Sequence, residues 1–221
     1  YLPMRPYIDE VEGLPLINLR RVPLDNLLNS FVKRAFDVTA SFLGLLILSP
    51  FLLGVAAGVK LTSPGPIIYK QERVGRSKKI FTMYKFRSMA VEGNADTTTW
   101  GTRDDPRRTR FGTFLRKYSI DELPQLYNVL RGDMSLVGPR PERPFFVEKF
   151  REEIPLYMIK HLVRPGITGW AQVNGWRGDT SIEKRIECDI HYIENWSFLL
   201  DIKILFLTVF RGFINQSEDA A

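Results

Sequence analysis

The chain has 221 residues and a net charge of +6, from 31 basic and 25 acidic side chains, and 44% of it is hydrophobic. This length fits one domain, or one domain with short appendages. The single cysteine, Cys188, excludes an internal disulfide framework, and two histidines are too few for a histidine-based metal site. The excess positive charge is compatible with an anionic membrane surface, a phosphorylated substrate or a nucleic acid.

Residues 1–30 hold several prolines and show little periodicity. Within them, residues 10–19 predict a short strand and a turn. Because the chain begins at Tyr1 rather than at a methionine, we expect residues 1–30 to be a linker or the tail of an upstream region.

Residues 38–59 form an apolar run, VTASFLGLLILSPFLLGVAAGV, with no charged side chain in 22 positions. A run of this length can cross a bilayer as one helix. Ser49 and Pro50 lie near its middle, and a proline there removes one backbone donor. In hydrocarbon the carbonyl group left without a donor needs a new partner, for which the Ser49 hydroxyl is a candidate.

The residues alone leave two interpretations of this run open. One is a spanning helix with a proline kink, and the other is a re-entrant helix-break-helix that leaves the membrane on the side where it entered. Lys33 and Arg34 precede the run, and Lys60 follows it. Positive flanks tend to stay in the cytoplasm, so two positive flanks discriminate only weakly between these forms.

Two strands are predicted after the run, at residues 67–71 and 80–89, where β-forming residues are concentrated. The second places Lys85 and Arg87 two positions apart, and therefore on one face of a strand. Two cations on one face repel unless an anion joins them, so a phosphate bound between them is one interpretation. A solvated charged face is the alternative.

Residues 114–132 predict a helix, because Leu123, Leu126, Tyr127 and Leu130 fall at helical spacing. Pro124 is typical of a first helical turn and Gly132 of a helix end. The predicted helix therefore begins directly after two acidic residues.

Asp121 and Glu122 lie at this helix start, where acids complement the helix dipole and where Ser119 and Glu122 fit a capping box. The same position attracts phosphate, so an ionised carboxylate there can also act as a nucleophile on phosphorus. Arg116, and Arg140 between its two prolines, are candidates to bind that phosphate; an exposed arginine in a turn is the alternative for Arg140.

The remaining segments predict loops and amphipathic helices. Residues 92–113 are polar and predict a loop that can close over a ligand, and the glycine- and tryptophan-rich residues 164–178 contribute Arg177 as a further cation. Helices are predicted at 142–163, with an interruption at Pro155, and at 181–196. Residues 198–213 fit an amphipathic helix in the membrane interface or a buried core helix, and Asp201 in it needs a cationic or metal partner.

Together these motifs resemble the bacterial sugar transferases of the polyprenyl-phosphate phosphoglycosyl transferase family, of the monotopic kind. The motifs run in order from about residue 31 to 213: PGPIIYKQERVG, KFRSM, SIDELPQLYNVLRGDMSLVGPRP, RPGITGWAQVNG and SFLLDIKILFLT. Each motif is weak alone, whereas the ordered set is specific. Residues 1–30 are similar to the end of the upstream region of long-form members.

The resemblance implies transfer of a hexose 1-phosphate from a UDP-sugar to undecaprenyl phosphate. UMP is released and undecaprenyl-diphosphate-sugar is formed, the first membrane step of exopolysaccharide or related glycan synthesis. It implies that Asp121 forms a covalent phosphosugar intermediate, that Glu122 orients the site or assists the metal, and that Mg²⁺ is bound by this acid pair. The other implied site residues are phosphate-binding Lys85, Arg87, Arg116, Arg140 and Arg177, and supporting Asp189 and Asp201.

The resemblance also implies the re-entrant form, with its break at Ser49 and Pro50, and a homodimer like that of long-form members. We therefore predict an α+β, mostly helical, membrane-associated fold with a re-entrant helix-break-helix and interfacial amphipathic helices. The layout is a linker at 1–30, the re-entrant helix at 31–62, a catalytic domain at 63–215 on the cytoplasmic face of the bacterial inner membrane, and a tail at 216–221. Alternating strand and helix signals are absent, so we expect no doubly wound sheet.

Two alternatives stay open. The motif NGWRGDTSIEKRIE is similar to members that use UDP-glucose, but UDP-galactose or an N-acetylated sugar remains an alternative because no residue singles out one hexose. A non-enzymatic, membrane-anchored anion-binding module is the other. Basic residues are scattered singly, without an arginine block or an aromatic ladder, so we expect no nucleic-acid partner.

Overall fold

The structure, a computed structural model, describes residues 7–11, 14–18, 22–90, 108–178 and 180–214. It is mixed helix and strand and 62% helical, which agrees with the predicted mostly helical class. In chain order the helices and strands are β1 (Tyr7–Val11), β2 (Leu14–Asn18), α1 (Leu27–Thr62), β3 (Ile68–Val74), β4 (Ile80–Phe86), α2 (Arg110–Lys117), α3 (Gln125–Arg131), β5 (Ser135–Val137), α4 (Pro144–Glu153), β6 (Gly166–Thr168), α5 (Trp170–Val173), α6 (Ile182–Glu194) and α7 (Phe198–Ile214).

The strands form three separate two-stranded sheets. β1 with β2 and β3 with β4 are antiparallel, and β5 with β6 is parallel. The two strands predicted after the apolar run are confirmed as β3 and β4, and the described residues contain no doubly wound sheet. Of the predicted loop at 92–113, residues 92–107 lie outside the described part of the chain, and α2 begins at Arg110.

α3 packs against one face of β4. Val129 of α3 is fully buried in a cluster with Phe81 and Met83, alternate residues of the strand, and with Met134. Because alternate residues of a strand point to one face, this cluster places α3 along the β4 face that ends at Lys85.

α1 is long and apolar enough to cross a membrane, with a mean hydropathy of 2.3 in its most apolar window. It continues through Pro50 as one helix, so the predicted break does not interrupt the helix. The reason lies in its hydrogen bonds: Pro50 cannot donate to the carbonyl of Leu46, and the Ser49 hydroxyl donates to that oxygen instead, at 2.8 Å. The predicted compensation by Ser49 is confirmed.

Both halves of α1 have buried side chains, and the stretch between them is largely exposed. Lys33, Asp37 and Ser41 are buried in the first half, as are Val55 and Val59 in the second. Between them the helix exposes large apolar side chains: Phe42, Leu43, Leu46, Ile47, Phe51 and Leu53.

α7 exposes much of its apolar surface. Asp201 and Ile204 are buried, whereas these apolar side chains are exposed: Phe198, Leu199, Ile202, Phe206, Val209 and Phe210. The helix predicted at residues 198–213 is confirmed, and its place in a membrane interface stays a prediction.

Asp201 has the cationic partner that its apolar setting required. Its Oδ2 lies 2.6 Å from Nζ of Lys33 and accepts from Nε1 of Trp196 at 3.2 Å, and its Oδ1 accepts from the Tyr192 hydroxyl at 2.8 Å. Asp201 is 1% exposed, so the pair is shielded from water. The ion pair therefore joins α7 to the start of the apolar helix α1.

We predict that Asp201→Asn lowers the free energy of unfolding by about 3 kcal/mol, because it removes the counter-ion 2.6 Å from the buried Lys33 charge and leaves Asp37 at 4.0 Å. Thermal denaturation in detergent measures the effect, with Lys149→Met as the control because Lys149 and Glu153 form an exposed pair at 4.0 Å. Equal shifts of the denaturation midpoint in the two variants would contradict the prediction.

Candidate functional site

The acid pair lies in a 3-10 helix, Ile120–Glu122, directly before α3. Ser119 before it has a φ of 54° and makes no side-chain capping bond, so the predicted capping box is wrong. The side chain of Glu122 that such a box needs is instead engaged with cations. The predicted helix end is confirmed, because Gly132 closes α3 with a φ of 98°.

Glu122 is clamped by two cations from different parts of the chain. Its Oε1 lies 2.7 Å from Nζ of Lys85, on β4, and 3.0 Å from Nη2 of Arg140, in the segment after β5. Burial opposes ionisation of Glu122, but the charges and hydrogen bonds of Arg140 and Lys85 outweigh it and hold the pKa of Glu122 well below its usual range. Glu122 is therefore a fixed negative charge.

Asp121 has the opposite electrostatic environment. It is 7% exposed, and its carboxylate has no hydrogen-bond or ion-pair partner among the residues that the structure describes. Burial, and then the charge of Glu122, raise the pKa of Asp121 to about 6, against the lowering effects of Lys85, Arg116 and Arg140. The carboxylate is therefore ionised at neutral pH but neither paired nor well solvated, which suits a nucleophile or a metal ligand.

Three of the predicted phosphate-binding cations surround the acid pair. Lys85 and Arg140 contact Glu122, and Arg116 is close enough for its charge to lower the pKa of Asp121. Arg116 is held through Nε, which donates to the Ser88 hydroxyl at 2.8 Å. An arginine has five N–H donors and a lysine three, so the contacts with Glu122 leave Lys85 and Arg140 with further donors for a phosphate group.

Arg87 is not brought to the acid pair in the way that its spacing from Lys85 predicts. β4 ends at Phe86, and the Arg87 guanidinium binds main-chain carbonyls after α1, donating to Ser63 at 2.7 Å and to Pro64. It therefore fixes the end of the apolar helix. Phosphate binding by Arg87 stays a prediction.

The other predicted residues lie away from Glu122. Asp189 is buried on α6, where burial raises its pKa to about 6 although Lys160 lies 3.4 Å away. Arg177 is exposed in the segment between α5 and α6, and Asp201 lies in the ion pair described above. No direct contact joins these three to the acid pair in the described chain, and their roles stay predictions.

Sequence reasoning missed a buried cluster beside Arg140. Glu142 is 5% exposed, and its carboxylate oxygens lie 3.6 Å from Nη1 of Arg73 and 3.6 Å from Nη1 of Arg185. Arg73 also donates to the carbonyl of Pro141 at 2.9 Å. The only local signal was the position of Glu142 two residues after Arg140, because both of its partners are distant in sequence.

The donor set fits magnesium. The described residues contain no group of three or more His, Cys, Asp or Glu side chains that could hold a metal. Magnesium, however, usually takes only one or two carboxylates and completes its shell with water and substrate phosphates. The unpaired carboxylate of Asp121 meets this requirement, whereas Oε1 of Glu122 is already committed to two cations.

Comparison with known proteins gives a family match over most of the chain. The model of the family described as "Bacterial sugar transferase" matches residues 28–215. The "UDP-glucose:undecaprenyl-phosphate glucose-1-phosphate transferase" of Escherichia coli (strain K12) is 50% identical over 214 residues, 95% of this chain and 46% of that protein. The Klebsiella pneumoniae protein with the same name is also 50% identical, over 95% of this chain and 46% of its own length.

A third relative is named for a different sugar. The "UDP-N-acetylgalactosamine-undecaprenyl-phosphate N-acetylgalactosaminephosphotransferase" of Aeromonas hydrophila is 47% identical over 81% of this chain and 43% of that protein. The chain thus spans about half the length of the curated relatives it matches. With its ordered motifs, its acid pair and a family match at residues 28–215, the chain belongs to the bacterial sugar transferase family.

Proposed function

We propose that the chain transfers a hexose 1-phosphate from a UDP-sugar to undecaprenyl phosphate, releasing UMP and forming undecaprenyl-diphosphate-sugar. The observation that carries the proposal is the unpaired, buried carboxylate of Asp121 among Lys85, Arg116 and Arg140. The names of the Escherichia coli and Klebsiella pneumoniae relatives support both substrates. The product is the starting lipid for a glycan such as an exopolysaccharide.

In the first step a carboxylate oxygen of Asp121 attacks the sugar-proximal phosphorus of the donor. A bond from Asp121 to phosphorus forms as the bond from that phosphorus to the bridging oxygen breaks, and UMP leaves with that oxygen. The raised pKa of Asp121 makes its carboxylate a stronger nucleophile than an ordinary aspartate. Lys85, Arg116 and Arg140 provide positive charge for the negative charge that develops on UMP.

In the second step an oxygen of undecaprenyl phosphate attacks the same phosphorus and displaces the carboxylate of Asp121. This regenerates the enzyme and completes the diphosphate-linked product. Glu122 does not react in either step; its charge holds Lys85 and Arg140 beside Asp121. Magnesium would be held by Asp121, since Glu122 is engaged with Lys85 and Arg140, and it would supply further charge neutralisation at the diphosphate.

UDP-glucose is the proposed donor, because two relatives that are 50% identical to this chain carry glucose in their names. An N-acetylated donor is the second candidate, because the Aeromonas hydrophila relative, at 47% identity, is named for N-acetylgalactosamine. A difference of three percentage points in sequence identity does not distinguish the two donors. UMP release measured with a panel of UDP-sugars identifies the donor.

We propose that α1, although it continues through Pro50 as one helix, enters and leaves the membrane on the same side. Near its start, Arg34 donates to the carbonyls of Val129 and Leu130 on α3, at 2.6 and 2.8 Å. Near its end, a Cβ atom on Gly58 would lie only 2.7 Å from the ring of Phe111 on α2. A helix that crosses a bilayer separates its ends by about 30 Å across the hydrocarbon, so contacts to one body from both ends favour entry and exit on one side.

The exposed apolar face of α7 extends this membrane contact. Asp201 joins α7 to Lys33 at the start of α1, so the exposed face of α7 lies next to the apolar helix. We propose that α7 lies in the membrane interface, with the acid pair on the cytoplasmic face of the inner membrane, where UDP-sugars are made.

We predict that Asp121→Asn lowers UMP release at least about 1,000-fold, because the amide is not a nucleophile. Release is measured with detergent-solubilised protein, undecaprenyl phosphate, magnesium and a panel of UDP-sugars. Without undecaprenyl phosphate, the wild type should release at most one UMP per chain, and the variant none. Asp25→Asn, an exposed aspartate, is the matched control.

Stability separates this loss from unfolding. The pKa of Asp121 is higher in the folded chain than in the unfolded chain, so ionisation destabilises the fold increasingly between about pH 4 and pH 6. Asp121→Asn should therefore raise the midpoint of thermal denaturation at pH 8. Full activity in this variant would contradict the covalent mechanism, and no release by the wild type from any UDP-sugar would contradict the proposed function.

We predict that kcat/KM falls about tenfold per pH unit below about pH 6, because only ionised Asp121 attacks. Glu122 keeps its charge over this pH range, so its titration does not add a second fall to the pH profile of kcat/KM. Arg116→Gln should move the limb to higher pH, since the Arg116 charge lowers the pKa of Asp121. Lys117→Gln, an exposed cation beside it, should leave the limb in place, and identical profiles for all three proteins would contradict the assignment.

We predict that both ends of α1 are inaccessible from outside the cell. Single cysteines at Asp25 and Pro66, both exposed, are introduced into a Cys188→Ser chain in spheroplasts and treated with a membrane-impermeant thiol reagent. Neither should react until the membrane is opened. Reaction of one of the two in sealed spheroplasts would show a spanning helix.

A further inference from the structure

The side chain of Asn128, on α3, is fully buried and binds the main chain of β4 with both ends of its amide. Its Nδ2 donates to the carbonyl of Thr82 at 2.7 Å, and its Oδ1 accepts from the N–H of Tyr84 at 3.1 Å. One partner only accepts and the other only donates, so the orientation of the amide is unambiguous.

These two bonds occupy the edge of β4 that β3 leaves open. In an antiparallel pair, every second residue directs its N–H and C=O away from the partner strand. Thr82 and Tyr84 are two such positions, and a primary amide presents a donor and an acceptor side by side, as a peptide group does. The Asn128 side chain therefore makes with β4 the two hydrogen bonds that the main chain of a neighbouring strand would make.

This contact sets the position of α3 along β4. Val129 packs against Phe81 and Met83, but apolar packing is non-directional and does not by itself fix a register. Two hydrogen bonds from one amide do fix it, and a slip of one residue along a strand amounts to about 3.3 Å. A displacement of this size is larger than the 2.7 Å between Nζ of Lys85 and Oε1 of Glu122, so it would break that contact.

We propose that Asn128 is a positioning residue for the acid pair, which it acts on by holding Lys85 of β4 against Glu122. Lys85 is the residue after Tyr84, and Glu122 lies at the start of the turn that leads into α3. The inference rests on the proposed function for its effect on the reaction, whereas the contact itself is testable without activity.

Amide hydrogen exchange tests the contact. In Asn128→Leu, which loses both bonds, the N–H of Tyr84 and the amides of residues 120–123 should exchange faster than in the wild type. Asn128→Asp keeps an acceptor for Tyr84 and loses the donor to Thr82, so it should retain protection at Tyr84. Unchanged exchange in Asn128→Leu would overturn the proposal.

A double-mutant cycle tests the effect on catalysis. A displacement of about 1 Å at a reacting centre costs about 100-fold in rate, so we expect losses of this size in kcat for Asn128→Asp and for Lys85→Met. If Asn128 acts through Lys85, the double variant is no slower than the slower single variant. Multiplied losses would overturn the proposal.

Two controls separate positioning from general destabilisation. Asn195→Asp is the matched amide-to-acid change, at an exposed residue whose side chain bonds within its own helix. Ile190→Ala removes a buried side chain from a cluster that does not include α3 or β4, and it should lower stability without faster exchange at Tyr84. If the wild type has no activity on any UDP-sugar, the proposed function fails, and the exchange measurement still supports or overturns the positioning by Asn128.

Discussion

The double clamp on Glu122 is the interaction on which the site depends. Two adjacent carboxylates near three cations would ordinarily each take a partner and become equivalent. Here Oε1 of Glu122 takes both Lys85 and Arg140, and Asp121 has no partner in the described parts of the chain. The same protein environment thereby lowers the pKa of one acid and raises that of the other, which is how neighbouring carboxylates acquire different roles.

A buried carboxylate with a raised pKa, as in Asp121, lowers the stability of the fold. The clamp on Glu122 depends on contacts between segments that are distant in sequence. Lys85 comes from β4, Arg140 from the segment after β5, and Glu122 from the turn before α3, so no short segment can form the clamp alone. Glu142, held between Arg73 and Arg185, anchors the segment that carries Arg140. Buried ion pairs therefore join distant segments of the fold, in addition to its apolar clusters.

Local rules predicted local features of this chain well. The end of α3 at Gly132, the compensation by Ser49 and the need of Asp201 for a cation all follow from one residue and its immediate chemistry. The capping box failed because the side chain of Glu122 has a stronger, distant partner than the turn beside it. The partners of Asn128 and Glu142 were not predictable, because a buried polar side chain shows in the sequence only that it needs a partner and not which one.

Hydrogen bonds connect both ends of the apolar helix α1 to the segments that carry Glu122 and Lys85. Arg34 of α1 donates to the last carbonyls of α3, the helix that follows Glu122, and Arg87, two residues after Lys85, binds the carbonyls that follow α1. Both ends of α1 are therefore hydrogen-bonded to segments that carry the two partners of the Lys85–Glu122 pair. Under the proposed function the acceptor arrives through the membrane and the donor from water, so these contacts place α1 beside the carboxylate of Asp121, which has no partner among the described residues and which both substrates would have to reach.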